Sequence, residues 1–239
     1  MSRKIMGKNT IAEVASHQPK RIISILTTSK VLLNDYGRAG FRVKLADKSE
    51  LTRIAGSDSH QGVLADVIDE EISLKHCFAQ LKEKKKSVVV LLDSIQDPQN
   101  MGAIMRACEC FGVDFIMHTR NRGTPITPVV AKVSMGGSEI VPRIEVSNSV
   151  DACKKLQAEG FWIASLELSS QSESIYTFDY PDKICFVFGS EGDGVKALLS
   201  KTADFHLIIP MLGHIDSLNV SQAASVVLAL LRSKRGADI

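Results

Sequence analysis

The sequence predicts an α/β protein in which a small N-terminal unit precedes a larger unit built on a mainly parallel sheet. Strand and helix signals alternate along the chain, as they do in parallel sheets whose crossovers are helices. The apolar run at residues 88–92 is continuous, which is typical of a strand covered on both faces. The chain has 239 residues, of which 44% are hydrophobic and 23% charged. This balance excludes a disordered, collagen-like or disulfide-scaffold protein.

The N-terminal unit is predicted at residues 1–75, followed by a linker at 76–86. One of its strands alternates apolar and polar side chains with period two, as expected of a half-buried strand. The lysine-rich stretch at residues 82–86 is more typical of a solvated helix end or a linker than of a phosphate-binding patch. The predicted strands are 21–26, 41–46 and 62–67, and the predicted helices are 29–36 and 49–54.

The second unit is predicted at residues 87–239. Its first helix carries an apolar stripe at i, i+3, i+4 and i+7, formed by Ile104, Ala107, Cys108 and Phe111. The predicted strands are 88–92, 115–117, 161–165, 184–188 and 205–209. The predicted helices are 100–111, 129–133, 150–159, 195–200 and 220–232.

Charge and cysteine usage limit the partners. There are 29 Lys and Arg residues against 27 Asp and Glu, a net charge of +2, so any nucleic-acid site is expected to be local.

The five cysteines include no CxxC pair, which favours reduced, mostly buried thiols and no metal site. No apolar run is long enough to span a membrane, and the polar start predicts no signal peptide. A cytoplasmic location is therefore expected.

The first segment with chemical potential joins the strand at 88–92 to the following helix. Asn100 lies at the predicted helix start, where its side chain can cap free N–H groups. Arg106 follows Ile104 by two residues, about 200° around the helix at ~100° per residue, and so points away from the apolar stripe. From spacing alone, an N-cap and a solvated arginine are the favoured interpretation.

Two further segments lie at strand ends. Residues 186–194 lead from a strand into a glycine-rich turn with two acids, Glu191 and Asp193, and match neither GxGxxG nor a P-loop. The acids would repel a pyrophosphate, so a neutral or cationic ligand fits better, and a purely structural turn fits equally well. In residues 208–225, Ser221 is a candidate helix N-cap, whereas Ser217 and Asn219 could also be turn formers.

Taken together, these segments resemble the three motifs of the SpoU–TrmH family. The resemblance rests on Asn100-x-Gly-x-x-x-Arg106, Phe-Gly189-Ser-Glu191-Gly-x-Gly, and Ile209-Pro-Met followed by Ser217-Leu-Asn-Val-Ser, in this order. Residues 130–143 are similar to the family's middle region. Residues 6–14 and 60–63 resemble the substrate-binding domain of the bacterial branch that methylates a guanosine ribose in large-subunit rRNA.

The resemblance implies an S-adenosylmethionine-dependent ribose 2′-O-methyltransferase that acts on RNA. It implies a C-terminal domain of the SPOUT type, with a parallel sheet and a deep trefoil knot, a ribosomal-protein-like N-terminal domain, and a homodimer formed through the knotted domain. No metal is implied. The implied catalytic residues are Arg106, Asn100, Glu191, Ser217 and Asn219, and the implied cofactor-binding residues are Gly189, Ile209, Leu218, Leu166 and Met211.

Within that resemblance, Arg106 corresponds to the proposed activator of the ribose hydroxyl. Because an arginine is almost never deprotonated, with a pKa above ~12, we assign it to holding the target phosphate and stabilising the developing alkoxide rather than to simple base catalysis. Asn100 and Glu191 are assigned to orienting the ribose and Arg106, with Ser217 and Asn219 completing the site.

Two alternatives remain at this point. A tRNA ribose 2′-O-methyltransferase would use the same chemistry, but such enzymes often lack a separate N-terminal unit. A non-catalytic RNA-binding or ribosome-assembly factor on the same fold would be favoured if the polar motif residues were lost, and they are present. An rRNA enzyme is therefore the preferred interpretation.

Overall fold

The computed structural model describes residues 2–69, 72–119 and 121–236. Its N-terminal part is a four-stranded mixed sheet in the order β1-β4-β2-β3, in which β2 and β3 are parallel and the other pairs antiparallel. The strands are β1 Ser2–Met6, β2 Ile22–Thr27, β3 Val43–Leu45 and β4 Val63–Ile68. The helices are α1 Lys8–His17, α2 Lys30–Arg38 and α3 Lys48–Ala55, with a 3₁₀ turn at Pro19–Arg21.

The three strands and two helices predicted in this part are confirmed. Strand β1 and helix α1 were not predicted. Strand β1 is apolar only at its last two residues, Ile5 and Met6, so its alternation is too short to detect. Helix α1 begins after Gly7, which offers no side-chain cap, and buries only Thr10, Ile11 and Val14. Both elements depend on packing rather than on a local signal.

Helix α4 spans Leu74–Leu81 and occupies much of the segment in which the linker is predicted. The Ser73 hydroxyl accepts a hydrogen bond from the His76 N–H and caps the helix. Cys77 and Leu81 are buried against the core of the second sheet. Lys82 ends the helix, so the lysine-rich stretch does begin at a helix end.

The second sheet has seven strands, all paired in parallel, in the order β7-β6-β5-β10-β8-β11-β9. This confirms the parallel sheet, although β7 and the two-residue β9 carried no predicted signal. The strands are β5 Ser87–Leu92, β6 Phe115–Thr119, β7 Arg143–Val146, β8 Trp162–Leu166, β9 Glu173–Ser174, β10 Lys183–Phe188 and β11 Phe205–Ile208.

Helices cover both faces of this sheet. Val88, Val90 and Leu92 of β5 pack on one face beneath α5, α6 and α10, and Val89 and Leu91 pack on the other beneath α4, α8 and α9. The continuous apolar run of β5 is thereby explained. The helices are α5 Pro98–Cys110, α6 Pro128–Val133, α7 Gly137–Ile140, α8 Ser149–Ala158, α9 Ala197–Ser200 and α10 Val220–Arg235.

Helix α6 packs against both sheets. Val130 lies in the core of the second sheet, whereas the next residue, Ala131, lies in the core of the first. The Thr10 hydroxyl donates a hydrogen bond to the Ala131 carbonyl at 3.1 Å. The two units are therefore joined by a shared core element as well as by the chain.

A buried set of ion pairs adds to this contact. We call it the interdomain cluster: Arg3, Arg21, Asp69, Glu139 and Arg143. The fully buried Glu139 carboxylate pairs with Arg3 and, at 3.1 Å, with Arg21. Asp69 pairs with Arg3 at 2.8 Å and with Arg143 at 2.5 Å. The cluster links the first sheet to α7 and β7 of the second unit.

Four of the cysteines are buried and Cys110 is exposed, and none forms a disulfide. Burial raises the pKa of Cys77 to about 11 and that of Cys153 to about 12, so these thiols stay protonated and unreactive. Within the described ranges no helix is both long and apolar enough to cross a membrane.

Candidate active site

The three motif segments meet at the carboxyl edge of the parallel sheet, where ligands bind in open α/β folds. Strands β5 and β10 are neighbours, and Leu92 is paired with Phe188. The loops that follow them therefore start side by side, and the Asp93 N–H donates to the Phe188 carbonyl at 2.9 Å. The sheet order thus brings together loops about 100 residues apart in sequence.

A chain of hydrogen bonds joins one residue from each motif segment. The Asn219 amide donates to the Asn100 side-chain carbonyl at 2.9 Å, and the Asn100 amide donates to the Glu191 carboxylate at 2.7 Å. We call these three residues the polar cluster. Because Asn100 is buried and held at both ends of its amide, its orientation is fixed. Three of the five predicted catalytic residues are therefore in contact.

The structure corrects two predicted helix caps. Helix α5 begins at Pro98, and the Asp97 carboxylate, not Asn100, accepts the capping hydrogen bond from the Gln99 N–H at 2.9 Å. Asn219, not Ser221, caps α10, accepting from the Ser221 N–H at 2.8 Å. Proline is favoured in the first helical turn, so the helix starts earlier than predicted. The Asn100 amide is thereby available to the polar cluster.

Arg106 is exposed on α5 between the buried residues Met105 and Ala107, as its angle from the apolar stripe predicts. Its guanidinium makes no hydrogen bond or ion pair with residues 2–69, 72–119 or 121–236. Its backbone is closely packed: a Cβ on Gly137 would lie 2.8 Å from the Met105 carbonyl oxygen and 3.2 Å from the Arg106 Cα. A fixed backbone with a free cationic end suits an anionic substrate group.

An apolar cleft opens beyond the carboxyl ends of β8 and β11. It is lined by four of the five residues predicted to bind the cofactor, Leu166, Ile209, Met211 and Leu218. Ser217 also lines this cleft, and its hydroxyl donates to the neighbouring Asp216 at 3.0 Å. Within the described ranges Ser217 makes no hydrogen bond to the polar cluster, so the structure does not join it to Asn100 and Glu191.

Gly189, the fifth predicted cofactor residue, closes the glycine-rich turn. The Gly194 N–H donates to the Ser190 carbonyl at 3.0 Å, which folds the turn back on itself. A Cβ on Gly189 would lie only 2.0 Å from the Gly194 carbonyl oxygen, closer than atoms can approach. Glycine is therefore required at 189 by the turn's own backbone, whereas Glu191 is exposed on that turn.

Two acidic residues at this edge were missed by sequence reasoning. Glu167 lines the cleft and accepts hydrogen bonds from Ser165 at 2.6 Å and Ser200 at 2.9 Å, with His206 Nδ1 at 2.5 Å. Burial opposes its ionisation, but these three contacts hold the pKa of Glu167 below its ordinary value. Asp93 is buried and pairs with Lys196 at 2.9 Å. Both acids directly follow strands, which is the signal that could have found them.

Comparison with protein families gives two matches that divide the chain. Residues 87–229 match the SpoU rRNA Methylase family. Residues 4–72 match the family described as RNA 2′-O ribose methyltransferase substrate binding. The first match contains every predicted site residue, and the second covers the N-terminal sheet.

Individual proteins match over nearly the whole chain. A Staphylococcus epidermidis protein assigned to the TrmH family of tRNA/rRNA methyltransferases is 35% identical over 97% of this chain and 95% of its own length. A 23S rRNA (guanosine-2′-O-)-methyltransferase of Coxiella burnetii is 30% identical over 98% and 97%. The SpoU methyltransferase AviRb of Streptomyces viridochromogenes, solved with AdoMet, superposes with a TM-score of 0.82 at 18% identity over 98% and 90%.

Proposed function

Because the chain belongs to the SpoU rRNA methylase family, we propose that it transfers a methyl group from S-adenosylmethionine to a ribose 2′-hydroxyl of RNA. The observation that carries this proposal is the polar cluster. It joins Asn100, Glu191 and Asn219 from three distant segments at the edge of the sheet that also bears the apolar cleft. A non-catalytic RNA-binding protein would not need to fix these three side chains together.

The apolar cleft fits the cofactor by its chemistry. Leu166, Ile209 and Leu218 offer apolar walls for a nucleoside and a thioether chain, and the carboxylates of Glu167 and Asp216 suit a cationic sulfonium. When bound, S-adenosylmethionine supplies an activated methyl group. Among the described residues no group of three His, Cys, Asp or Glu side chains could hold a metal ion.

The residues of the chain would act mainly by positioning. Arg106 holds the phosphate of the target nucleotide and stabilises negative charge that develops on the ribose oxygen. Its guanidinium is too weak an acid to become a base, so a water molecule or a phosphate oxygen takes the hydroxyl proton. The Asn100 amide, fixed between Glu191 and Asn219, orients the ribose. We assign Ser217 to the cleft rather than to this step, because it lies there.

We assign the substrate to large-subunit rRNA, with guanosine as the methylated nucleotide. Support comes from the N-terminal unit, which matches a substrate-binding family, and from a Coxiella burnetii relative of nearly the same length whose name specifies this reaction. The N-terminal unit, residues 1–75, would select the RNA, and residues 87–239 would carry the chemistry in the cytoplasm. The tRNA alternative is not better supported, because the Staphylococcus epidermidis relative whose name includes tRNA is named for rRNA as well.

The homodimer and the knot also belong to this proposal. Leu212 and Ile215, in the loop before α10, are 103% and 77% exposed, which suits an interface with a second copy of the chain. After β11 the chain returns past β8 and β10 to pack α10 against α5, and Arg232 donates to the Phe111 carbonyl at 2.5 Å. We assign the knot to this returning segment, from the loop after β11 to α10.

The function is tested by mapping ribose methylation in RNA from cells with and without the gene. One guanosine of the large-subunit rRNA is expected to lose its 2′-O-methyl group without the gene and to regain it when the purified protein and S-adenosylmethionine are added. Loss confined to tRNA would replace the substrate assignment. No change in any RNA, together with no transfer by the purified protein, would overturn the proposed activity.

Gly189→Ala is expected to weaken S-adenosylmethionine binding at least ~10-fold in calorimetry, because the new Cβ must displace the Gly194 backbone. Val187 of β10 is paired with Ser165 of β8. The glycine-rich turn that follows β10 therefore starts beside Leu166, which lines the cleft. Gly192→Ala is the matched control, since a Cβ at Gly192 meets nothing within 4 Å. Equal affinity in both variants would separate the turn from the cofactor site.

A further inference from the structure

A second, polar pocket lies on the same edge of the sheet, beyond the ends of β5, β6 and β7. It is distinct from the apolar cleft and shares no lining residue with it. Neither the catalytic nor the cofactor roles proposed above use it. We call it the polar pocket after its charged and polar lining side chains, which include Asp93, Asn121, Arg122, Asn148, Ser149 and Lys196; Val150, Leu198 and Leu199 line the rest and add apolar surface.

The strand order places this pocket relative to the reaction. Along the sheet, β7, β6 and β5 are followed by β10, β8 and β11. The polar pocket is lined by the segments after β5, β6 and β7 and by the start of α9. The polar cluster lies at the loops after β5 and β10, and the apolar cleft lies at β8 and β11. Along the strand order, the polar cluster therefore lies between the apolar cleft and the polar pocket.

The pocket contains a cation that is fixed in place. The Lys196 ammonium pairs with the buried Asp93 carboxylate at 2.9 Å and donates to the Ser94 hydroxyl at 2.6 Å. Asp93 also accepts a hydrogen bond from the Ser149 hydroxyl at 2.5 Å, so its charge is fully engaged. An ammonium has three N–H donors. Two are taken, and the half-exposed Lys196 retains one for a ligand.

Arg122 adds a second cation to the pocket. Its side chain is exposed and forms no ion pair with any other residue in the described ranges. Its backbone φ of 65° lies in the left-handed region, which arginine rarely adopts. Since Asp93 is neutralised by Lys196, the Arg122 charge leaves the pocket net positive. The side-chain carbonyl of Asn148 caps α8 by accepting a hydrogen bond from the Val150 N–H at 2.9 Å. The side-chain N–H groups of Asn148 therefore remain free to donate to a ligand.

We propose that the polar pocket binds a phosphodiester of the RNA strand next to the methylated nucleotide; this rests on the proposed function. Its free charged groups are cations and the Asn148 amide adds N–H donors, which match phosphate oxygens. None of its described lining residues is aromatic, so it offers no ring for stacking a flanking base. The pocket would fix the direction in which the strand crosses the polar cluster.

The first test is Arg122→Asn, compared with wild type and with Lys154→Ala. Asparagine tolerates a left-handed backbone, so the fold should be kept. Lys154 is an exposed lysine on α8 outside the pocket and serves as the matched loss of charge. With a synthetic RNA hairpin that the wild type methylates, Arg122→Asn is expected to raise KM for RNA on the order of 10-fold. The slope of log affinity against log salt should fall by about one.

The second test replaces single phosphodiesters within three nucleotides of the target by neutral methylphosphonates. One linkage is expected to weaken methylation by the wild type on the order of 10-fold and to have no further effect on Arg122→Asn, because both changes remove the same contact. If every linkage affects both proteins equally, or if Arg122→Asn behaves like Lys154→Ala, the pocket assignment is wrong while the methyltransferase function stands. If the wild type binds S-adenosylmethionine but methylates no RNA, the proposed function itself fails.

Discussion

Arg106→Ala is expected to lower methyl transfer at least ~100-fold while leaving the fold and the S-adenosylmethionine affinity nearly unchanged. This is the loss that follows removal of one donor that stabilises charge in the transition state. The side chain is exposed and its neighbours Met105 and Ala107 carry the packing of α5, so no core contact is lost. Single-turnover transfer to RNA, thermal denaturation and cofactor calorimetry measure the three quantities.

Arg106→Lys separates charge from geometry. A lysine keeps the positive charge but cannot place two parallel N–H groups on phosphate or ribose oxygens, so little activity should return. Glu109→Ala, at an exposed position on the same helix, is the control for a general change of the helix surface. Full activity of Arg106→Ala would remove its catalytic role, and a nearly active Arg106→Lys would show that charge alone is sufficient.

The parallel sheet was predictable because its strands carry strong local signals. The apolar run of β5 predicts a strand buried on both faces, and the periodic apolar stripe of α5 predicts one buried helix face. Both predictions are confirmed. The glycine-rich turn after β10 was also recognisable as a strand-end loop. These features depend on residues close together in the sequence, which is where pattern analysis is reliable.

The contacts that build the site were not predictable in the same way. Asn100 was assigned to a helix cap because an asparagine at a helix start usually has that role. Its partners Glu191 and Asn219 are 91 and 119 residues away, and no local pattern reports such a contact. The choice between Asp97 and Asn100 as the cap was, by contrast, readable from Pro98, since proline favours the first helical turn.

The same limit applies to the contact between the two units. In helix α6, Val130 packs in the core of the second sheet and the next residue, Ala131, packs in the core of the first. The helix has only six residues, too few for a hydrophobic periodicity that would predict two buried faces. The interdomain cluster joins Arg3 to Glu139 across 136 residues. Because α7 also packs Gly137 against the backbone at Arg106, this cluster connects the N-terminal unit to the helix that carries the proposed catalytic arginine.

Glu139→Gln is therefore expected to lower the free energy of unfolding at pH 7 by roughly 3–5 kcal/mol, the range for breaking a buried ion pair by removing one partner. The substitution keeps the side-chain shape but leaves Arg3 and Arg21 without the buried carboxylate that they share. Urea denaturation measures the change. Glu13→Gln is the control, because the Glu13 carboxylate is 47% exposed and pairs only with His17 in the described chain, so its loss should cost little.

The pH dependence gives this prediction a second, independent readout. Burial opposes ionisation of Glu139, but its ion pairs with Arg3 and Arg21 and the nearby positive charge of Arg143 outweigh burial and hold its pKa below the ordinary value of 4.5. A carboxyl group with a lowered pKa in the folded state stabilises the protein above its unfolded pKa and loses that contribution as pH falls through the folded value. The difference in free energy of unfolding between wild type and Glu139→Gln should therefore be constant near pH 7 and should become smaller below about pH 4.5. A gap below about 1 kcal/mol at pH 7, or one that widens in acid, would show that the carboxylate does not hold the two units together.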